Sequence, residues 1–202
     1  MRAPANISEA EAEPLLINTI IGLPLVSSPF FAKNFLVSAV GGYGRKQLAP
    51  YSDIDLLFIH NDFENIDILE KSIQFILYPL WDLGFNVGHA TRSIKQASEF
   101  SKKDHTVRTS MLDARLICGS KTHFEKVIKV FKKDVTKKSK TFFKEKILER
   151  ERKLLDINFN FIRNEPDIKQ SAGSIRDINL IFWGLKIFCI VQNSEEEEFL
   201  TK

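Results

Sequence analysis

Two aspartates separated by one residue, Asp53 and Asp55, stand at the start of an apolar run, Leu56 to Ile59. Side chains in a strand alternate between its two faces, so the two carboxylates are predicted to share one face. Two acidic groups at that spacing repel each other unless a cation neutralises them. Because Mg²⁺ prefers carboxylate and phosphate oxygens, the pattern predicts a site for this ion.

A glycine pair, Gly41 and Gly42, precedes the aspartates by a short turn-rich connection. Glycine lets the backbone approach a phosphate closely and offer its N–H groups as donors. Ser52 is a candidate for a further hydrogen bond, and Arg45 and Lys46 are candidates for contacting phosphate charge. Glycine turn and acid pair together predict a site for a metal-bound nucleoside triphosphate. The competing interpretation is a surface turn with a coincidental pair of acids.

The strands and helices expected around these residues indicate an α+β fold. Strands are expected over 35–40, 54–59 and 85–91, and a helix is expected over 64–83. Asp104 is predicted to cap a helix that carries Val107, Met111, Leu112 and Leu116 and is closed by Gly119. The remainder is predicted to be purely helical, with segments over 122–133 and 141–162 and a last helix from about Ile175. These elements divide into an α+β head, residues 28–118, and a helical domain, residues 119–193.

Composition supports a folded protein outside the membrane. The chain has 202 residues, 44% of them hydrophobic and 17 of them Phe, which favours a real core over disorder. Its two cysteines are too few for a disulfide framework and suit a reducing cytoplasm. Neither an apolar run of about twenty residues nor a secretion signal is evident, so a cytoplasmic location without membrane contact is expected. Trp81 and Trp183 are predicted to be core residues.

The charge distribution is uneven. From Lys121 to Lys153 there are thirteen Lys or Arg against five Asp or Glu, although the net charge of the chain is only +3. A solvated helix face is the ordinary explanation of such a run, and a polyanion-binding face is the alternative. Nucleic acid is therefore not the expected partner.

Residues 41–60, GGYGRKQLAPYSDIDLLFIH, resemble the nucleotidyltransferase motif of the bacterial PII uridylyltransferase/uridylyl-removing enzymes, within the polymerase-β-like superfamily. Further matches follow in the same order, at 80–89 (LWDLGFNVGH), at 106–119 (TVRTSMLDARLICG) and at 165–178, which resembles an EPNxK…GGLRD element. The resemblance covers most of residues 35–190. It implies a polymerase-β-like nucleotidyltransferase head followed by a helical domain.

The resemblance also implies an activity. UTP would donate UMP to a tyrosine of the PII nitrogen-signalling protein and release pyrophosphate. On this interpretation Asp53 and Asp55 bind Mg²⁺, and Gly41, Gly42 and Ser52 contact the triphosphate. In the family, removal of UMP belongs to an HD-type metal domain and glutamine sensing to ACT domains. Neither is found in this sequence, so both activities are expected to be missing from it.

The sequence departs from the family pattern beside the glycine turn and in the later element. Lys46-Gln47 stands where the family usually has Gly-Glu, which changes the charge beside the phosphate loop. Gly173-Ser174 replaces a pair of glycines, so a positive φ at the second position would be strained. Arg176-Asp177 is predicted to form an intramolecular salt bridge that anchors the last helix, with a nucleotide or head-domain contact as the alternative.

The superfamily typically adds a third carboxylate, and the sequence does not identify it. The predicted strand 85–91 offers His89, which is expected to be a structural hydrogen-bonder, but no acid. Asp82, Asp104 and Asp113 remain candidates. These departures leave open a catalytically inactive, truncated remnant that only binds nucleotide or a partner. A nucleotidyltransferase that acts on RNA or a small molecule is a further alternative, supported only by the basic run.

Overall fold

The computed structural model describes residues 14, 17, 18, 22, 34–49, 52–61, 66–158 and 167–192. The chain divides into two compact units, Met1–Val130 and Phe131–Lys202. The predicted α+β class, with a sheet-containing head followed by helices, is confirmed. Within the described ranges, no helix combines the length and the apolar character that a membrane crossing requires.

Among its described residues, the first unit contains four complete strands and four complete helices. In chain order these are β1 (Phe35–Ala39), α1 (Gly41–Gly44), β2 (Ile54–His60), α2 (Ile66–Asp82), β3 (Val87–Ser93), α3 (Ile94–Lys103), α4 (His105–Leu112) and β4 (Arg115–Gly119). Helix α5 (Lys121–Asn158) begins in this unit and continues into the second, which also contains α6 (Ile175–Gln192).

The strands form one mixed sheet in the order β3-β2-β1-β4. Strand β1 is antiparallel to both β2 and β4, whereas β2 and β3 are parallel. Parallel neighbours need a crossover, and the chain between them forms α2. All five residues of β1 are buried, as expected of an apolar strand with a neighbour on each side. The three predicted strands and the helix before β3 are confirmed.

The core of the first unit lies between the sheet and α2. Apolar residues at helical spacing on α2 pack against the inward side chains of β1 and β2; the cluster includes Phe35, Val37, Ala39, Leu56, Phe58, Leu69, Ile73, Ile76, Leu77 and Leu80. The prediction that Trp81 belongs to the core is wrong, because its side chain is 43% exposed. Trp183, in the second unit, is buried as predicted.

Helix α4 is shorter than its sequence pattern predicts. Its cap is confirmed, because Asp104 accepts from the N–H groups of Thr106 (2.7 Å) and Val107 (3.2 Å). The helix nevertheless ends at Leu112, and the predicted helical positions Leu116 and Gly119 belong to β4. Pairing with β4 satisfies the backbone groups along the second edge of buried β1, which an extended helix would leave without partners.

Helix α3 was not expected from the sequence, although its start carries a recognisable signal. The Ser93 N–H donates to the Gln96 side-chain oxygen at 2.9 Å, and the Gln96 N–H donates to the Ser93 hydroxyl at 3.2 Å. This reciprocal pair is a capping box, which satisfies two backbone donors at a helix start.

In the second unit, α5 and α6 approach closely. Helix α5 is interrupted at Lys138, whose φ of −122° and ψ of 16° are not helical, and this break lies between the two predicted helical segments. A β-carbon on Gly184 of α6 would lie 2.8 Å from the Phe143 ring of α5, so the contact depends on the missing side chain. The predicted helix from about Ile175 is confirmed. Residues 159–162 of the predicted preceding helix lie outside the described residues.

Candidate functional site

The Asp55 carboxylate lies between two glycines of the first unit. Asp55 is the second residue of β2 and is half-buried, and Gly88 of β3 is its partner in the parallel register. A β-carbon on Gly88 would lie 2.8 Å from Asp55 Oδ1, and one on Gly41 would lie 2.9 Å from Asp55 Oδ2. Both distances are below van der Waals contact, so the carboxylate occupies space that any side chain at either glycine would take.

Gly41 is positioned by the backbone that leaves β1. The preceding N–H, of Val40, donates to the carbonyl of Asp55 at 3.0 Å, and Gly41 then adopts a φ of +60° and opens α1. A β-carbon on Gly42 would lie 3.4 Å from the Gln47 carbonyl oxygen, which is ordinary contact. The first N–H groups of a helix have no acceptor within it, so this turn can donate to an anion. The structure therefore brings the predicted glycine turn to one of the two predicted acids.

Asp53 and Ser52 lie immediately before β2, and both are exposed. The Ser52 N–H donates to the carbonyl of Ala49 at 3.0 Å, which closes the turn leading into the strand. Asp53 is thus an exposed acid one residue ahead of the strand, whereas Asp55 is recessed between glycines. Carboxylate oxygens are ligands that Mg²⁺ takes from proteins, commonly one or two with phosphate and water oxygens completing its shell, so Mg²⁺ binding by Asp53 and Asp55 stays a prediction.

The structure gives Arg45 a partner within the protein. Its Nη1 lies 2.5 Å from Asp113 Oδ2, and its Nε donates to the Gln47 side chain at 3.3 Å. The Asp113 side chain is 1% exposed and that of Arg45 14%. This buried ion pair ties α1 to the end of α4. Phosphate contact by Arg45 stays a prediction, because it would compete with Asp113.

The remaining residues of the turn form its support, which sequence reasoning missed. Tyr43 is 1% exposed, its carbonyl accepts from Arg115 Nη2 at 3.2 Å, and the Arg115 guanidinium lies 5.3 Å from the centroid of its ring. At Gly44 a β-carbon would overlap the backbone oxygen of Asp113. An aromatic residue and a third glycine inside the turn were the available signal, since they indicate anchoring and close backbone approach.

Lys46 adopts the left-handed backbone conformation, with a φ of 60°. It is the only non-glycine residue with a positive φ among those the structure describes. This is the position where the resembled family usually has glycine. A side chain in this conformation costs about 1–2 kcal/mol, so the departure introduces backbone strain beside the glycine turn.

None of the candidate third carboxylates joins the acid pair. Asp104 caps α4, Asp113 pairs with Arg45, and Asp82 is exposed at the end of α2. Across the described ranges there is no group of three or more His, Cys, Asp or Glu placed to share a metal ion. His89 is exposed, and its ring centroid lies 6.3 Å from those of Phe58 and Trp81.

In the second unit, the Asp177 carboxylate pairs with Arg150 rather than with its neighbour Arg176. Arg150 Nε lies 2.5 Å from Asp177 Oδ1, and its other nitrogens donate to the carbonyls of Gln170 (3.0 Å) and Ser171 (2.7 Å). The hydrogen bond from Arg150 lowers the pKa of Asp177 below its usual 3.8. The predicted anchoring of the last helix by Asp177 is therefore present, but its partner comes from α5.

The turn before α6 tolerates the serine that replaces a family glycine. The positive φ, +76°, falls on Gly173, whose N–H donates to the Asp177 carboxylate at 2.7 Å. Ser174 is buried and its hydroxyl donates to the Lys169 carbonyl at 2.9 Å. The strain considered for the second position therefore does not arise.

Comparison with known proteins gives one consistent family. Residues 141–200 match the family model described as GlnD PII-uridylyltransferase. A bifunctional uridylyltransferase/uridylyl-removing enzyme of Phenylobacterium zucineum (strain HLK1) is 39% identical over 183 residues, which cover 90% of this chain and 19% of the relative. The enzyme of that name from Hydrogenovibrio crunogenus (strain DSM 25203 / XCL-2) is 40% identical over 161 residues, 78% of this chain and 18% of the relative. The chain thus spans about a fifth of the length of these relatives.

Among solved structures, the chain is similar to one described as a toxin–antitoxin with AMP-PNP. The similarity has a TM-score of 0.38 at 18% sequence identity and covers 62% of this chain and 94% of the other.

Proposed function

Because the chain belongs to the GlnD PII-uridylyltransferase family, we propose that it carries a Mg²⁺-dependent nucleotidyltransferase site. The reaction would transfer UMP from UTP to a tyrosine of a PII nitrogen-regulatory protein. The observation that supports this most is the Asp55 carboxylate, which lies between Gly41 and Gly88 at the end of the glycine turn.

The residues of the first unit would divide the binding of UTP between them. Asp53 and Asp55 would hold Mg²⁺, which when bound offsets the charge of the triphosphate. The N–H groups of Gly41 and Gly42 and the hydroxyl of Ser52 would donate to phosphate oxygens. No side chain at either glycine obstructs the approach of these oxygens to the backbone.

The transfer reaction requires little covalent chemistry from the protein. The tyrosine oxygen attacks the α-phosphorus of UTP, the bond from that phosphorus to the pyrophosphate oxygen breaks, and the phenolic proton is released. Positioning of the two substrates and stabilisation of the phosphate charge would supply the acceleration. Buried Asp113 would keep Arg45 and α1 in place, so that the glycine turn remains fixed relative to Asp55.

Label transfer tests the proposal. The full chain is incubated with Mg²⁺, a PII protein and UTP labelled at the α-phosphate, and label on the PII protein is measured. The wild type is expected to transfer label, and Asp53→Asn and Asp55→Asn are each expected to lose roughly 100-fold or more of the rate, since each removes a charge that acts on the phosphates. Asp156→Asn, an exposed acid on α5, is the matched control. Absence of label with every divalent metal tried would refute the enzyme proposal.

One observation favours a second candidate, a nucleotide-binding remnant without activity. Within the described residues no third acidic ligand accompanies Asp53 and Asp55. Two carboxylates are enough to hold a Mg²⁺-bound triphosphate but would provide no further carboxylate to accept the tyrosine proton. This candidate predicts Mg²⁺-dependent binding of UTP with no label transfer to the PII protein.

A further inference from the structure

The second unit contains a basic cleft that the proposed reaction does not use. It has a volume of about 170 Å³ and lies against α5, α6 and the turn between them. Its lining consists of Lys146, Glu149, Arg150, Lys153, Gln170, Arg176, Leu180 and Trp183. Four of these side chains are cationic and one is acidic, so the cleft is suited to an anion.

One carboxylate, that of Glu149, forms ion pairs with two lysines at this cleft. Glu149 Oε2 lies 2.8 Å from Lys146 Nζ, and Glu149 Oε1 lies 2.6 Å from Lys153 Nζ. Partial burial raises the pKa of Glu149, but hydrogen bonds and charge from the two lysines outweigh it and lower the pKa to about 2. Glu149 is therefore ionised at neutral pH, and the trio keeps one excess positive charge.

Two arginines complete the cleft, in different settings. Arg150 is fixed, since its side chain is only 9% exposed and pairs with Asp177. Arg176 is exposed and makes no ion pair with any described residue. Counting Asp177 with the lining residues, four cations face two carboxylates, which leaves an excess of two positive charges.

One wall of the cleft is apolar. Trp183 is 8% exposed, and Lys146 Nζ lies 5.6 Å from the centroid of its ring. The Lys146 side chain is itself only 12% exposed. A low-dielectric wall strengthens the attraction between a recessed ammonium group and an anion, compared with the same charge on an open surface.

We propose that this cleft binds the phosphate group of a small molecule, either inorganic diphosphate or the phosphate chain of a nucleotide. Multiply charged phosphate matches the excess positive charge, and an exposed Arg beside Lys favours phosphate through bidentate hydrogen bonds. The inference stands independently of nucleotidyl transfer, because it uses none of the residues proposed for that reaction.

Fluorescence of Trp183 tests the proposal in the full chain. The chain has two Trp residues, so Trp81→Phe leaves Trp183 as the single reporter. Titration with inorganic diphosphate in EDTA, which removes divalent metal, is expected to give a saturable change, because Lys146 beside the ring responds to a bound anion. Arg176→Gln and Lys153→Gln are each expected to weaken binding roughly five-fold or more.

Lys144→Gln is the matched control, because Lys144 is an exposed lysine on the same helix and does not line the cleft. It is expected to leave the affinity unchanged. Glu149→Gln is expected to strengthen binding, since it removes the carboxylate that competes for both lysines. Circular dichroism and thermal unfolding of each variant separate loss of binding from loss of folding.

Each outcome decides the proposal. The proposal is overturned if the titration does not saturate, or if Lys144→Gln and Arg176→Gln lose the same affinity for diphosphate. It is also overturned if Glu149→Gln binds diphosphate more weakly, or if a hexaglutamate peptide binds as tightly as diphosphate. Tighter binding of UTP than of diphosphate supports the phosphate chain of a nucleotide, and equal affinities support the phosphate group alone. Binding of uridine as tightly as UTP overturns it. Because metal is absent, failure here leaves the label-transfer test unaffected.

Discussion

The position of Asp55 gives Gly41 a specific requirement that Gly42 does not share. Gly41 has a φ of +60°, and a β-carbon at this position would lie 2.9 Å from Asp55 Oδ2. Gly42, in contrast, has room for a methyl group. We expect Gly41→Ala to lower the free energy of unfolding by about 1–2 kcal/mol through the left-handed backbone alone, and more where the carboxylate must move. Urea unfolding measures this.

Gly42→Ala is the matched control, and we expect a change of less than about 0.5 kcal/mol. Equal destabilisation by the two substitutions would contradict the geometry of the turn. It would mean that neither the positive φ of Gly41 nor the nearby Asp55 carboxylate distinguishes Gly41 from Gly42.

Lys46 offers a stabilising substitution. Glycine adopts a φ of 60° without steric cost but loses more backbone entropy on folding, so we expect Lys46→Gly to raise the free energy of unfolding by about 0.5–1 kcal/mol. Lys46→Ala removes the same charge but keeps the β-carbon, and it is expected to give no such gain. A gain from alanine equal to that from glycine would assign the effect to charge instead of strain. Urea midpoints of the three proteins provide the comparison.

At the scale of elements, the Arg150–Asp177 pair predicts an acid-sensitive second unit. The hydrogen bond from Arg150 lowers the pKa of Asp177 in the folded state. The ionised carboxylate therefore stabilises the fold above the ordinary pKa of 3.8, and this stabilisation is lost as the pH falls through the lower, folded-state value. Glu149, with a pKa lowered from 4.5 to about 2, acts in the same direction.

We expect Asp177→Asn to be less stable than wild type at neutral pH, with the difference shrinking below about pH 4. Urea unfolding across the acid range measures it. Asp156 has an exposed side chain that forms no ion pair with any described residue. Asp156→Asn is therefore expected to follow the wild-type curve. A constant difference between wild type and Asp177→Asn down to strongly acid pH would contradict the assigned pair.

The elements show what the sequence could and could not predict. Buried β1 and β2, helix α2 and the Asp104 cap follow from apolar periodicity and local hydrogen bonding. Strand β4 does not, because Leu116 continues the helical spacing of α4 and only pairing with β1 decides for a strand. Helix α3 does have a local signal, the capping box of Ser93 and Gln96, which indicates a helix start.

The residues of the candidate site also differ in whether the sequence could predict their roles. Gly41 and Asp55 could be associated by sequence, since a glycine turn and an alternating acid pair have a local pattern. The roles of Gly88 and Asp113 could not, because they depend on strand register and on where α4 ends. The buried partner of Arg45, Asp113, follows from the same tertiary placement, which no local pattern indicates.

At the scale of the whole molecule, the chain joins an α+β unit to a helical one and spans about a fifth of the length of its relatives. The proposed functional domains are residues 28–118, the nucleotidyltransferase domain, and residues 119–193, the helical domain. The division into compact units instead falls after Val130, within helix α5, so that α5 belongs to both units. The head carries the proposed UTP site, and the helical unit carries a basic cleft for phosphate. Two phosphate sites would make part of UTP binding independent of metal.

The central claim is that Asp55, beside the glycine turn, holds the metal that binds a triphosphate. The measurement is the ratio of UTP affinity in Mg²⁺ to UTP affinity in EDTA, determined by calorimetry for the full chain. We predict a ratio of about ten or more for wild type and for Asp156→Asn, and a ratio near one for Asp55→Asn. An Asp55→Asn protein that folds and retains the wild-type ratio would contradict the account.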